Sequence, residues 1–228
     1  WSEETKQGLL RHNPNLIMQD AFSSSEALGM DSSVSSGGGA AKTAKFMVGE
    51  NAVVITEDGR FVEPGSGEIG MVGVRGRVPV GYYKDEEKSA KTFKVIDGVR
   101  YSIPGDFAMV EADGSLTLLG RGSVCINTGG EKVFPEEVEE VLKRHPAVRD
   151  AVVVGVPDEK WGEAITAMVE PAPGAAVHEG EIVEHVKSIL AAYKAPKRVL
   201  EVSSIGRAPN GKVDYKRLKT EAMERVGS

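Results

Sequence analysis

Gly120-Arg121-Gly122-Ser123-Val124-Cys125-Ile126-Asn127-Thr128-Gly129-Gly130-Glu131-Lys132-Val133-Phe134-Pro135-Glu136-Glu137-Val138-Glu139-Glu140 runs a glycine-rich polar segment straight into a helix start. Pro135 suits a first helical position, where its missing N–H has no intrahelical partner anyway, and the four glutamates that follow favour the positive end of the helix dipole. Val138, Val141 and Leu142 recur at helical spacing to give one apolar face, Lys143 and Arg144 sit near the negative end, and Pro146 blocks continuation. Upstream, Gly129 and Gly130 permit positive φ and a close approach of another backbone or a ligand. On spacing alone a tight hairpin turn is the simplest reading of this pair.

Outward from this stretch the chain reads as a folded domain or two. It has 228 residues, of which 40% are hydrophobic, with mixed charges, as in a globular protein. A net charge of −6 lacks the basic surplus of a nucleic-acid groove. No apolar run is long enough to span a bilayer, and the N-terminus lacks the charged end and apolar core of a signal peptide. A lone cysteine, Cys125, cannot form an internal disulfide, which suits the reducing cytoplasm, and its neighbours Val124 and Ile126 favour a packed residue over a reactive thiol. His145, His178 and His185 lack metal-ligand spacing and are expected on the solvated surface. The chain begins at Trp1, inside a helical pattern and without an initiator Met, so a piece of a longer chain is expected.

In order, helical spacing over Glu3 to His12 precedes a short buried strand at Asn15 to Gln19 and a polar loop, Asp20-Ala21-Phe22-Ser23-Ser24-Ser25-Glu26. A polar loop after a strand is a common ligand position at the carboxyl edge of a parallel sheet. Residues 31–45, rich in Ser, Gly and Ala, read as a surface loop. Short strands with turn signals follow, including Ala52 to Thr56, Gly67 to Val74 and a hairpin closed by Asp113-Gly114-Ser115, and imply a small barrel-like sheet. Between them Gly81-Tyr82 opens a short charged helix, and Pro104-Gly105 turns the chain to present Asp106. After the quoted stretch, Ala151 to Val156 and Ala164 to Val169 are too apolar for exposure on either face. With an amphipathic helix from Ile182 to Leu190 and a strand at Arg198 to Val202, they predict a compact α+β domain. Asn210-Gly211 then places Lys212 on a tight turn before a last helix.

The quoted stretch, along its whole length, resembles the hinge-and-loop motif of the adenylate-forming superfamily, which holds acyl-CoA synthetases, luciferases and peptide-synthetase adenylation domains. Arg207-Ala208-Pro209-Asn210-Gly211-Lys212-Val213-Asp214 is similar to the superfamily's Asn-Gly-Lys-Val-Asp motif. The resemblance implies a fold of mixed α/β to α+β class. Residues 1–121 would finish the large adenylate-forming domain with its β-barrel-like subdomain, and residues 122–228 would form the small mobile C-terminal domain.

By the same resemblance, Phe22 flanks adenine, Ser25 approaches phosphate or the acyl carboxylate, Glu26 contacts Mg²⁺, Asp106 takes both ribose hydroxyls and Arg121 lies at the ribose. Ser123 stands at the hinge, where Asp or Lys is usual, so the position is kept while the usual polar contacts are not. Gly129, Gly130, Glu131 and Lys132 border the path of coenzyme A, and Lys212 reaches the substrate carboxylate and α-phosphate. Phe22 replaces the usual Tyr and Pro104 the usual Thr. The form of the Gly-Gly-Glu-Lys loop, with Asn127-Thr128 before it, looks like that of actinobacterial-type fatty-acid or steroid acyl-CoA ligases. This implies ATP, a carboxylic acid and coenzyme A as substrates, with adenylation for a carrier protein as the alternative. The superfamily's phosphate loop lies in a part this sequence lacks, so the fragment alone is expected to be inactive.

Overall fold

The computed structural model describes residues 3–27, 31–36 and 45–227, and the chain divides into two compact units, Trp1–Arg121 and Gly122–Ser228. The first unit opens with α1 (Glu3–His12), followed by β1 (Ile17–Phe22) and β2 (Asp31–Ser36), which pair antiparallel in a two-stranded sheet. This corrects two expectations. The strand runs later than Asn15 to Gln19 and is not buried: Ile17 is 73% exposed and Met18 alone is in the core. Its partner is antiparallel, so the polar loop beyond it does not sit at a parallel edge. Of the expected surface loop, Asp31–Ser36 is strand and residues 37–44 lie outside the described residues. Lys6 of α1 is fully buried and ion-pairs with Asp20 on β1, which offsets the cost of burying its charge.

The rest of the first unit is a seven-stranded sheet. Its elements are β3 (Lys45–Met47), β4 (Ala52–Ile55), β5 (Ile69–Arg75), α2 (Glu86–Thr92), β6 (Phe93–Ile96), β7 (Val99–Ser102), β8 (Asp106–Val110) and β9 (Ser115–Arg121). The order is β3-β9-β8-β5-β7-β6, with β4 also on β5, and among the described residues the sheet stays open instead of closing into a barrel. Inward residues Val54, Val72, Val74, Ala108 and Leu116 form its core with Phe46. Asp85 caps α2, its side chain accepting the Lys88 N–H at 3.0 Å.

The second unit contains β10 (Ile126–Thr128), β11 (Glu131–Val133), α3 (Pro135–Leu142), β12 (Val148–Asp158), β13 (Gly162–Pro171), α4 (Glu179–Ile189), β14 (Arg198–Glu201) and α5 (Tyr215–Val226). Strand order is β11-β10-β13-β12, with β14 parallel to β13, which leaves β12 as an edge. Helices cover both faces, which explains the unbroken apolar runs. Ala151, Val153, Ile165, Ala167 and Val169 pack with α3 and α4, while Val152, Val154, Val156 and Met168 pack with Leu218 and Ala222 of α5. His145 and His185 depart from the expected solvated surface. Their half-buried rings meet edge to face with centroids 5.1 Å apart, and His185 Nε2 bonds to the Val141 carbonyl at 3.0 Å. Among the described residues no helix is long and apolar enough to cross a membrane.

The edge position of β12 gives Glu139 an unusual setting. The Val153 N–H donates to Glu139 Oε1 at 2.9 Å, so a carboxylate from α3 satisfies a strand-edge donor. Burial pushes this carboxyl up to about 7, against the pull of the Val153 N–H, Lys143 and Tyr215 and with a further push from Glu136. A folded-state value above the unfolded one means that the native protein holds the proton more tightly. The stability this contributes is full below the carboxyl's ordinary 4.5 and is lost as pH rises to about 7. Glu139→Gln is expected to flatten that part of the profile. Chemical denaturation of both proteins between pH 4.5 and 8 checks this, and an unchanged slope excludes Glu139 as its source.

Candidate functional site

Two groups of side chains stand out, one in each unit. In the first, β8 begins at Asp106 and β9 ends at Arg121, and the two are register partners at the open end of the hairpin closed by Asp113-Gly114. Asp106 is buried, and its Oδ1 accepts from Arg121 Nε at 3.2 Å, while the Arg121 side chain is 61% exposed. The other oxygen, Oδ2, is buried with no hydrogen-bond partner among the described residues. Such an acceptor is costly to leave unmade, and a ligand bearing hydroxyl donors would relieve it. Burial pushes the Asp106 carboxyl up, Arg121 pulls it down and the nearby charge of Glu26 pushes it up again.

Glu26 thus lies near enough to Asp106 for its charge to act there. It sits in a tight turn where Ser24 and Ala27 exchange backbone hydrogen bonds at 3.1 and 3.2 Å, leaving Ser25 exposed. The Tyr82 hydroxyl donates to Glu26 Oε1 at 2.7 Å, and this bond, with hydrogen bonds from the Glu26 backbone and Ser24 and the charge of Lys88, outweighs burial and holds the carboxyl below its ordinary value. Lys88 lies 3.9 Å from the centre of the Tyr82 ring. Tyr82 thus holds the Glu26 carboxylate in place, a contact that spacing in the sequence does not reveal. Phe22 packs on the sheet core, its ring 5.7 Å from that of Phe46.

Among the described residues no cluster of three metal-ligating side chains occurs. A single ionised carboxylate such as Glu26 still suits Mg²⁺, which keeps most of its waters and takes one or two carboxylates plus substrate phosphate oxygens.

In the second unit, Gly122–Val124 is a single 3-10 turn carrying Ser123. The Cys125 thiol beyond it is half-buried, and that burial pushes it up, which disfavours the thiolate. Gly129 and Gly130, at φ +60° and +89°, form the two-residue turn between β10 and β11, so the hairpin geometry holds. A Cβ on Gly129 would lie 3.3 Å from the Trp161 ring, whereas one on Gly130 would meet open space. The Gly129 N–H donates to the Trp161 carbonyl at 2.8 Å, and Lys160 and Lys197 each lie 4.9 Å from the centre of the Trp161 ring. Trp161, absent from any sequence motif above, is thus the wall on which the hairpin rests. Glu131 and Lys132 lie exposed on β11.

Lys212 is exposed on a turn built by its neighbours. Gly211 N–H donates to the Ala208 carbonyl at 2.8 Å, Ala208 N–H to the Lys212 carbonyl at 2.9 Å, and Lys212 N–H to Asn210 Oδ1 at 3.2 Å. Arg207 anchors the turn to the edge of the sheet with a fork onto Asp150, Nε to Oδ2 at 2.6 Å and Nη2 to Oδ1 at 2.9 Å, and its Nη1 reaches the Gly211 carbonyl at 3.2 Å. Burial alone would raise the Asp150 carboxyl, but Arg207 outweighs it and holds the group low. The structure therefore pairs Asp106 with Arg121, places the Glu26 charge near enough to act on Asp106, sets Phe22 and Ser25 beside the Glu26 turn, and hangs the Gly-Gly hairpin and the Lys212 turn from different strands of the second unit.

Residues 137–212 match the AMP-binding enzyme C-terminal domain family. A medium/long-chain-fatty-acid–CoA/3-oxocholest-4-en-26-oate–CoA ligase of Mycobacterium marinum is 47% identical over 226 residues, 99% of this chain and 41% of the relative. A 3-oxocholest-4-en-26-oate–CoA ligase of Rhodococcus rhodochrous is 48% identical over 97% of this chain and 40% of its own length. The chain thus spans about two-fifths of the curated relatives it matches. Among solved structures, o-succinylbenzoate CoA synthetase from Bacillus subtilis, in complex with its acyl-adenylate intermediate, superposes with a TM-score of 0.74 at 27% identity, covering 96% of this chain and 44% of that one. Apo MatB from Rhodopseudomonas palustris gives 0.72 at 27% identity, covering 98% and 44%.

Proposed function

This chain belongs to the adenylate-forming enzymes, with their AMP-binding C-terminal domain in its second unit, and on that premise we propose that it works as the C-terminal part of an ATP-dependent acyl-CoA ligase for fatty or steroid carboxylic acids. In the first half-reaction the carboxylate attacks the α-phosphate of ATP, giving acyl-adenylate and pyrophosphate. In the second, the thiol of coenzyme A displaces AMP. Splitting one difficult condensation into two easier displacements is the chemical rationale.

The observation that carries the reading is the unpartnered Asp106 Oδ2 beside Arg121. A carboxylate with one oxygen held by a guanidinium and one left over suits a diol donor such as ribose. Phe22 offers its ring to adenine and Ser25 its hydroxyl to phosphate, while Glu26 would hold Mg²⁺, which neutralises phosphate charge when bound. Lys212 supplies a mobile ammonium for the anionic transition state of adenylation. Ser123 is the hinge about which residues 122–228 turn, so that the Lys212 turn and the Gly129-Gly130-Glu131-Lys132 hairpin act in succession. Residues 1–121 then complete the large domain. The reaction fits a cytoplasmic enzyme supplied with ATP and coenzyme A.

The test uses the full-length ligase: ATP-dependent pyrophosphate release over a panel of carboxylic acids, followed by transfer to free coenzyme A or to a phosphopantetheinyl carrier protein. Fatty or steroid acids with free coenzyme A are the expected pair. Transfer to the carrier alone would make the protein a loading domain. Asp106→Ala and Arg121→Ala should each weaken ATP binding, since each removes a charged hydrogen-bonding group worth about 1.5–3 kcal/mol. Calorimetric titration with ATP checks this, and unchanged affinity in both variants removes the pair from the site.

A further inference from the structure

The Lys212 turn has two tethers to the sheet, and the second engages a buried acid that the reaction scheme above does not use. Arg207, on the N-terminal side of the turn, grips Asp150 at the start of β12. On the C-terminal side Tyr215 opens α5, and its hydroxyl donates to Glu139 at 3.0 Å to Oε1 and 3.2 Å to Oε2. Glu139 belongs to α3, which packs on the opposite face of the sheet from α5. Because β12 is an edge strand, the carboxylate can reach round it, take the Val153 N–H on the way and meet Tyr215 beyond. The bond therefore clasps the two helix layers around one strand edge, three residues from Lys212 in sequence.

We propose that Glu139, acting through Tyr215, is a positioning residue for Lys212: the Glu139–Tyr215 bond and the Arg207–Asp150 fork hold the two ends of the turn at a fixed height on the edge of β12, which aims the ammonium during adenylation. This rests on the assignment of Lys212 to adenylation. A turn of five residues with exposed side chains has little packing of its own to hold it, as Ala208 to Lys212 are all exposed. Its aim depends on the anchors. The groups facing Glu139 are Tyr215 and Arg207 from the turn side, Glu136 on its own helix and Lys143 at the C-cap of that helix. Of these, Tyr215 alone joins the acid to the turn through a hydrogen bond of its own side chain.

Positioning predicts a split that loss of fold does not. In the full-length ligase, Tyr215→Phe should lower the turnover of ATP-dependent pyrophosphate release by roughly 10- to 100-fold. The KM for ATP and thioester formation from synthetic acyl-adenylate plus coenzyme A should be unchanged. Glu139→Gln keeps an acceptor for Val153 and Tyr215 and should retain most of the adenylation that Glu139→Ala loses. Parallel losses in both half-reactions overturn the proposal, as does a Tyr215→Phe enzyme with full adenylation when Lys212→Ala has lost it. If Lys212→Ala itself adenylates normally, the assignment of Lys212 fails and the proposal falls with it, a result distinct from failure of the clasp alone.

Discussion

Lys212→Ala is expected to cut ATP-dependent pyrophosphate release by the full-length ligase about 10²–10³-fold, the usual cost of removing one positioned electrostatic group from a transition state. It should spare thioester formation from preformed acyl-adenylate. The turn is closed by backbone hydrogen bonds and by Asn210, and the lysine side chain is exposed, so alanine should leave the local fold intact. Melting temperature should accordingly stay near that of the wild type, which separates a chemical loss from a structural one. An ordinary surface lysine predicts instead a small change in either step. Pyrophosphate release and single-step thioesterification, measured side by side on the same preparation, decide between the two, and a comparable loss in both assays would sink the assignment.

What the sequence made legible is what local chemistry controls. Pro135 starts α3, Gly129-Gly130 closes a hairpin and Asn210-Gly211 forms the turn under Lys212, because a fixed φ, a tolerated positive φ and a side-chain carbonyl act within a few residues. The buried strands β12 and β13 were equally plain, since apolar runs between turn signals leave few alternatives. The rest depends on tertiary neighbours. Glu139 lies in a run with Glu136, Glu137 and Glu140, all of which suit the start of a helix, and only the edge of β12 singles one out for burial. Lys6 belongs to a polar helix and becomes fully buried because Asp20 lies opposite. Trp161 is distant in sequence from the Gly129 it supports, and Tyr82 from the Glu26 it holds, so spacing links neither pair. The orphan Oδ2 of Asp106 has no signature in the chain at all, because burial without a partner is a property of the assembled sheet.

Gly130→Leu is expected to produce the converse of the lysine change: thioester formation lowered on the order of 10²-fold, with pyrophosphate release retained. The argument starts from the difference between the two glycines. Gly129 rests against Trp161, so any side chain there would disturb the hairpin itself. Gly130 faces open space, and a leucine fits sterically but must adopt φ near +89°, which strains an L-residue by about 1–3 kcal/mol. The strained hairpin should still form, since the cost is small beside the burial of β10 and β11 with α3, while the branched side chain projects into the space assigned to the pantetheine arm. Gly130→Ala carries the same backbone strain with little bulk and serves as the control. If obstruction is the cause, alanine lowers the melting temperature as leucine does but keeps thioesterification. If strain is the cause, both variants lose thioesterification together. A Gly130→Leu enzyme that loses adenylation as well would show that the hairpin and the Lys212 turn do not act in succession, and would reject a two-step use of one small domain.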